Sequence, residues 1–256
     1  MKKIALLSLL IILNISCSSQ KNHTETVSPL KYLNTITAED LKTHLYIVAA
    51  DSMEGRETGS IGQKKAGVYL INQYKKNNIP FPKGATTYYQ PIPASYLNKK
   101  YGEKLGDSEN IWAFIEGSEK PNEILVISAH YDHVGTKDNE VYNGADDDGS
   151  GTVALLEIAQ AFEIAKKEGH GPKRSILFLH VTGEEHGLHG SRFYSENPLF
   201  PIANTITDIN IDMIGRRDEA HAASNNYVYV IGANRLSTDL DNICTIANAK
   251  YTHLDL

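Results

Sequence analysis

The sequence predicts an α/β protein, a three-layer αβα sandwich whose mixed, mainly parallel sheet is covered by helices on both faces. Two observations favour this class. Several segments are almost continuously apolar, such as RSILFLHV at 174–181, and segments with helical spacing lie between them. Strands buried on both faces have this character, because they lack the polar alternation of a half-exposed sheet.

The elements follow in chain order. A helix should begin near Thr37, since this N-cap residue precedes acids in the first turn. The segment at 88–93 is expected to be an edge strand, because two prolines exclude a central position. Further strands are predicted at 110–115, 123–130, 174–181, 205–211 and 227–231, with helices at 63–76, 152–162 and 187–194.

Composition excludes some classes of partner. The chain is 41% apolar and 22% charged, which suits a globular protein with one sizeable core. Its net charge is −6 and it has no basic stripe, so nucleic acid is not expected as a partner. Cys17 and Cys244 cannot form a disulfide framework. Nothing in the sequence sets the oligomeric state.

Residues 1–17 resemble the export signal of a bacterial lipoprotein. Two lysines precede an apolar run at 4–15 that is too short to span a bilayer. Cys17 stands where lipidation would follow, although Asn14 departs from the usual pattern. We therefore expect an exported protein anchored to a bacterial envelope membrane through Cys17, with a secreted protein as the alternative. Residues 18–37 are predicted to be a tether and 38–256 the folded domain.

Potential metal ligands concentrate at 128–151, directly after an apolar run. His130 and Asp132 share one face of a strand, because strand side chains alternate with period two. Three consecutive aspartates follow at 146–148. Neutral imidazole and carboxylate are ligand types that zinc accepts. The stretch therefore predicts part of a metal site.

More acids lie at the ends of other predicted strands. Glu184 and Glu185 follow the 174–181 strand, and Asp212 ends the next one. Adjacent buried carboxylates repel, which favours a bound cation or a shared proton. Each acid alone could equally be a solvated loop residue or a helix cap. Ligands in such sheets gather at the carboxyl ends of strands, so together these residues predict one centre.

These motifs resemble, in order, those of the di-zinc aminopeptidases. That family also includes glutamate carboxypeptidase, glutaminyl cyclase and the transferrin-receptor ectodomain. The matching segments are HYD at 130–132, GADDDGSG at 144–151, GEEHGLHGS at 183–191 and DM at 212–213. The resemblance extends from about residue 38 to the C-terminus. It implies the zinc-peptidase type of αβα fold, two zinc ions and peptide substrates.

The resemblance also implies a role for each matched residue. The implied metal ligands are His130, Asp147, Glu185 and Asp212, and the implied catalytic residues are Glu184 and Asp132. Asp147 would bridge both ions, and its peptide bond to Asp148 is expected to be cis. His130 and Asp212 would complete one ion, and Glu185 would bind the other. Glu184 would be the general base, and Asp132 would support His130.

Other residues are given structural roles. Asp146 and Asp148 are expected to be structural or to support the ligands. His133 and His189 lie inside the motifs, at positions that the family does not use as ligands. His186 is expected at the surface or in a pocket wall, and His180 in the core. Other hydrolase and calcium motifs fail on spacing, since the chain has no HExxH, GxSxG or EF-hand pattern.

The chain departs from the family pattern after Asp212. The family has a further histidine ligand in a segment resembling Ser-Asp-His, whereas His253 here lies in the context YTHLD. The prediction is a C-terminally truncated domain. Two classes stay open: an aminopeptidase, or an inactive remnant or binding lipoprotein. A glutaminyl cyclase is disfavoured, because such sites use one zinc and a tryptophan-lined pocket, and Trp112 is the sole tryptophan.

Overall fold

The computed structural model describes residues 27–99 and 104–256. The predicted export signal, with its Cys17 anchor, and most of the predicted tether lie outside the described residues. The strands are β1 (Tyr89–Ile92), β2 (Ser108–Ile115), β3 (Lys120–His130), β4 (Thr136–Lys137), β5 (Glu140–Val141), β6 (Arg174–Val181) and β7 (Thr205–Asn210). The helices are α1 (Leu30–Leu33), α2 (Ala38–Val48), α3 (Ile61–Lys76), α4 (Ala94–Leu97), α5 (Gly151–Lys167), α6 (His189–Glu196), α7 (Ala233–Leu236) and α8 (Thr238–Ala247).

Five strands form the central sheet in the order β1-β2-β6-β3-β7, and β4 and β5 form a separate hairpin. The pairs β3–β6 and β3–β7 are parallel, whereas β1–β2 and β2–β6 are antiparallel. The register places His130 beside Val181 and Ser128 beside Asn210. The chain therefore leaves β3, β6 and β7 at the same edge of the sheet.

Helices cover both faces of this sheet. Strand side chains alternate between faces, so Ile111 and Ala113 of β2 pack in one core with residues of α3 and α5. Trp112 and Phe114 point the other way and share a second core with Tyr194 of α6. The predicted α/β class, with helices on both faces of a mixed sheet, is confirmed.

Capping residues set the start of two helices. The Thr37 hydroxyl accepts the Asp40 N–H at 3.1 Å, as predicted for the start of α2. The Ser60 hydroxyl accepts the Gln63 N–H at 3.2 Å, so α3 begins two residues earlier than the apolar pattern indicated. Within the predicted tether, Tyr32 of α1 is buried and its hydroxyl donates to Glu168 at 2.7 Å. That part of the segment contacts the domain.

The predicted strand at 227–231 is wrong. Tyr227 makes only an isolated bridge with Asp255, and Ile231 is 93% exposed. The aromatic residues of this run find partners locally, because the Tyr227 ring stacks on His221 with centroids 3.7 Å apart. In the part of the chain that the structure describes, no helix has both the length and the apolar character needed to cross a membrane.

Candidate metal centre

The carboxyl edge of the sheet carries the predicted site. His130 is the last residue of β3, Glu184 and Glu185 follow β6, and Asp212 follows β7. Asp147 comes from the turn at Ala145–Ser150, which leads into α5. The gathering of these residues at strand ends is confirmed, because the parallel strands β3, β6 and β7 end together.

The imidazole of His130 is surrounded by acids. Its Nε2 atom lies 3.0 Å from Asp147 Oδ1, 3.8 Å from Glu184 Oε2 and 3.9 Å from Asp212 Oδ1. Among the described residues, this buried nitrogen has no hydrogen-bond partner of good geometry. The ligand atoms of a tetrahedral zinc ion lie about 3.3 Å apart when the bonds are about 2.0 Å long. The spacing therefore fits a shared cation.

Asp132 orients both His130 and Glu184. The His130 Nδ1 atom lies 3.1 Å from the Asp132 carbonyl oxygen and 3.7 Å from its carboxylate. The carboxylate, which is fully buried, accepts the Glu184 N–H at 3.2 Å and the Thr58 hydroxyl at 2.9 Å. Asp132 thereby links the end of β3 to the turn after β6. A ring held through Nδ1 presents Nε2 to a metal.

The electrostatics of the site favour a bound cation. Burial lowers the pKa of His130, but its hydrogen bond to Asp132 and nearby acids outweigh burial and raise this pKa to about 10. Burial is also the main cause that raises the pKa values of Glu184, Glu185 and Asp212. Bound cations relieve such an excess of carboxylates, and this pattern is common at functional sites.

A second group of potential ligands joins Asp147 and Glu185 to His133, with the donor atoms within 4.8 Å of one another. The His133 Nδ1 atom lies 2.6 Å from Glu185 Oε1. From its sequence, His133 lies at a position that the family does not use for a ligand. No local sequence pattern identifies it, because its place in this group depends on where the turn after β6 brings Glu185.

The three aspartates of the 146–148 run are not equivalent. Asp148, rather than Asp147, forms a group of potential ligands with His130 and Asp212, whose donor atoms lie within 4.8 Å of one another. Its carboxylate also accepts the N–H groups of His130 at 3.2 Å and Gly151 at 2.8 Å. Burial raises the Asp148 pKa to about 8. Asp146 accepts the Gly215 N–H at 2.8 Å. The Asp147–Asp148 peptide bond is cis, as predicted.

The other histidines fall into different environments. His180 is fully buried on β6, and its Nε2 atom lies 2.7 Å from the Tyr74 hydroxyl, as expected for a core histidine. His186 is half-buried beside Glu57, with 3.0 Å between Nε2 and Oε1. His253 belongs to neither group of potential ligands among the described residues.

An αβα sandwich with His–carboxylate groups at the ends of its parallel strands has the architecture of a metallohydrolase. Sequence comparison identifies the family within this class of enzymes. Residues 110–252 match the sequence model of peptidase family M28, which is more than half of the chain. The chain belongs to this family of peptidases.

Individual proteins are similar over parts of their length. A vacuolar membrane protease of Aspergillus fumigatus is 28% identical over 156 residues, which are 60% of this chain and 15% of that protein. A glutaminyl cyclase of Bacteroides thetaiotaomicron superposes with a TM-score of 0.64 at 18% identity, covering 86% of this chain and 75% of that one. A zinc aminopeptidase of Bacillus subtilis gives 0.61 at 15%, covering 84% and 77%. At these identities the superpositions establish the fold alone.

The relatives correct one prediction. The curated proteins first matched are vacuolar membrane proteases of fungi, and the chain spans about 15% of their length. They are eukaryotic proteins, which contradicts the predicted location as a lipoprotein of a bacterial cell envelope. The reason is that a short apolar run followed by a cysteine is a weak pattern, and it lies outside the described residues.

Proposed function

We propose that the chain is a zinc-dependent aminopeptidase that removes N-terminal residues from peptides. The observation that carries this proposal is the convergence of His130 Nε2 with the carboxylates of Asp147, Glu184 and Asp212 at distances of 3.0 to 3.9 Å. Membership of a peptidase family supplies the reaction class. The donor set supports zinc, since calcium and magnesium prefer sites made of oxygen ligands alone.

Four residues would hold two zinc ions. His130 and Asp212 would bind one ion, Glu185 would bind the other, and Asp147 would bridge them. The position of Asp147 supports the bridging role, because it lies 3.0 Å from His130 Nε2 and also belongs to the group that contains Glu185. Asp148 is less suited, since backbone N–H groups already occupy both of its oxygens.

Glu184 is the proposed general base. When bound, zinc ions lower the pKa of a water molecule and polarise the scissile carbonyl group. The Glu184 carboxylate would take a proton from that water and deliver it to the leaving amide nitrogen. Burial raises the pKa of Glu184, which makes its carboxylate a stronger base. Asp132 holds the Glu184 backbone, and so it would act as a positioning residue.

Glutaminyl cyclase activity is disfavoured by the place of Trp112. This residue is 6% exposed on β2, packs in the core beside α6, and donates its indole N–H to the Thr87 carbonyl at 2.9 Å. The sole tryptophan therefore does not line the candidate metal centre. An inactive binding protein remains the second candidate, and the experiment below separates it from the enzyme.

The test uses the purified chain with zinc, aminoacyl-nitroanilide substrates and N-acetylated versions of the same substrates. We expect nitroaniline to be released from the substrates that have a free amino group, and not from the N-acetylated ones. Glu184→Gln should retain zinc and lower kcat by about 10²–10⁴-fold, the usual contribution of a general base. Glu119→Gln, at an exposed glutamate paired with Lys173, is the matched control. Equal rates for Glu184→Gln and the parent chain would overturn the role of Glu184, and absence of all hydrolysis would favour the binding protein.

A further inference from the structure

We propose that His133 is the third protein ligand of the second metal, beside Asp147 and Glu185. This inference rests on the proposed function, because it presupposes a second zinc ion. It adds a ligand that the family motif does not supply. Each ion would then have one imidazole, His130 for the first and His133 for the second, with Asp147 between them.

The side chains of His133 and Glu185 are in direct contact. Nδ1 and Oε1 lie 2.6 Å apart and both are buried, yet within the described residues neither atom has a hydrogen-bond partner of good geometry. A ring nitrogen and a carboxylate oxygen that lie this close, outside good hydrogen-bond geometry, fit a pair of ligands for one cation. Ligand atoms of tetrahedral zinc lie about 3.3 Å apart, so the Glu185 side chain would move by several tenths of an ångström.

The surroundings of His133 hold this residue in place. Its N–H donates to the Arg56 carbonyl at 3.1 Å, and the residue forms an isolated bridge with Glu57. The imidazole packs directly on Gly144, where a Cβ atom would lie 2.5 Å from the His133 Cγ atom. Gly144 has a φ of +56°, which also favours glycine. The site thus contains a space that only a glycine leaves, and the His133 ring fills it.

The chemistry of the ligands also favours a role for His133. Without His133, the second group would contain only carboxylates and would suit a hard cation such as magnesium or calcium. An imidazole nitrogen shifts the preference towards zinc. His133 would therefore make the two halves of the centre alike in metal preference, which a two-zinc mechanism requires.

The test measures metal content as well as activity. We expect two zinc ions per parent chain by elemental analysis after dialysis. His133→Asn should keep one tightly bound ion and bind the second at least about 100-fold more weakly, since even residues that only support ligands contribute 10–100-fold. His253→Asn is the matched control, because His253 belongs to neither ligand group among the described residues. Circular dichroism should be unchanged in both variants.

A second measurement needs no substitution. With NMR-active cadmium in the parent chain, scalar coupling between the metal and His133 Nδ1 is expected. Two ions bound by His133→Asn with the parent affinity, or no coupling at Nδ1, would overturn the role of His133 and leave the aminopeptidase proposal intact. Fewer than two ions in the parent chain would overturn the two-zinc proposal itself, and the inference with it.

Discussion

The residue Arg56 shows how a buried charge can organise the candidate metal centre without entering it. Its guanidinium is fully buried and donates to four backbone carbonyl oxygens, at 2.7 to 2.9 Å. The acceptors are Val48, Tyr131, Asn143 and Gly144. Burial lowers the Arg56 pKa to about 10, partly offset by Asp132 and Asp148, so the group stays charged at neutral pH. It connects the end of α2, the end of β3 and the turn that carries Asp147.

Replacing Arg56 should therefore weaken both the fold and metal binding. Arg56→Met takes a donor from four carbonyl groups, although that of Gly144 still accepts the Gly149 N–H at 3.0 Å. It also leaves nearby acids without a counter-charge, and together these losses should cost about 3–5 kcal/mol of unfolding free energy. For Arg56→Lys, the unfolding free energy and the zinc content should lie between those of the parent chain and Arg56→Met, because one ammonium group cannot reach four separated carbonyls. Urea unfolding and zinc content would measure both effects. Arg174→Met removes an exposed arginine and is the control. A cost for Arg56→Met within about 0.5 kcal/mol, typical of surface changes, would contradict this account.

Some residues of the candidate site can be identified from the sequence, and others cannot. His130, Asp132 and Glu184 are found by spacing, because each lies at or just after the end of an apolar strand. Arg56 and His133 are not found in this way. Arg56 depends on carbonyl groups as far away as Gly144, and His133 depends on where the turn after β6 places Glu185. Such long-range contacts have no local pattern.

At the scale of elements, a buried hydrogen bond joins α3 to β6. The Tyr74 hydroxyl lies 2.7 Å from His180 Nε2, and both side chains are buried in the core between helix and sheet. Burial lowers the His180 pKa to about 3. The ring is therefore neutral in the folded protein at neutral pH, and the Tyr74 hydroxyl can donate to it.

Tyr74→Phe should lower the unfolding free energy by about 1–3 kcal/mol, because it leaves His180 Nε2 buried without a partner. The exposed Tyr229 hydroxyl, which bonds to Asp218, offers the control Tyr229→Phe with little expected cost. Urea unfolding at neutral pH measures both. The contribution of His180 to stability should also be lost as the pH falls from about 6.5 towards 3, since its depressed pKa favours protonation in the unfolded state. Equal midpoints for Tyr74→Phe and Tyr229→Phe would exclude a stabilising role for this bond.

Elements with a strong local pattern were predictable, and those whose partner lies far away were not. The strand at 174–181 has the predicted bounds, because a strand buried on both faces is apolar throughout. The run at 227–231 is equally rich in apolar residues, but its tyrosines pack on His221 and it does not join the sheet. A sequence pattern reports burial potential and leaves the choice of partner open.

For the whole molecule, the candidate metal centre concentrates carboxylates that the fold alone does not neutralise. In the metal-free protein, Arg56 and a protonated His130 supply the positive charge that offsets these carboxylates. The pKa of His130 is raised to about 10. The pKa of buried Asp148 is raised to about 8. A pKa that is higher in the folded state contributes stability at low pH, and this contribution is lost as the pH rises through the folded value. As the pH rises, the metal-free protein therefore loses the contribution of Asp148 between 3.8 and about 8, and that of His130 between 6.5 and about 10.

Bound zinc should remove this dependence of stability on pH. Bound zinc replaces the proton on His130 and offsets the carboxylate charge, so metal binding releases protons and tightens as the pH rises. We expect the chelated protein to lose on the order of 1–3 kcal/mol of unfolding free energy between about pH 6.5 and 9. The zinc-loaded protein should stay nearly constant, and free zinc at about 100 times its dissociation constant should add about 2.7 kcal/mol. Denaturant unfolding across this range, with chelator or with zinc, measures the two slopes. A chelated protein that gains stability with rising pH would contradict the prediction, because it would place the titrating charges outside the centre formed by His130 and the surrounding carboxylates.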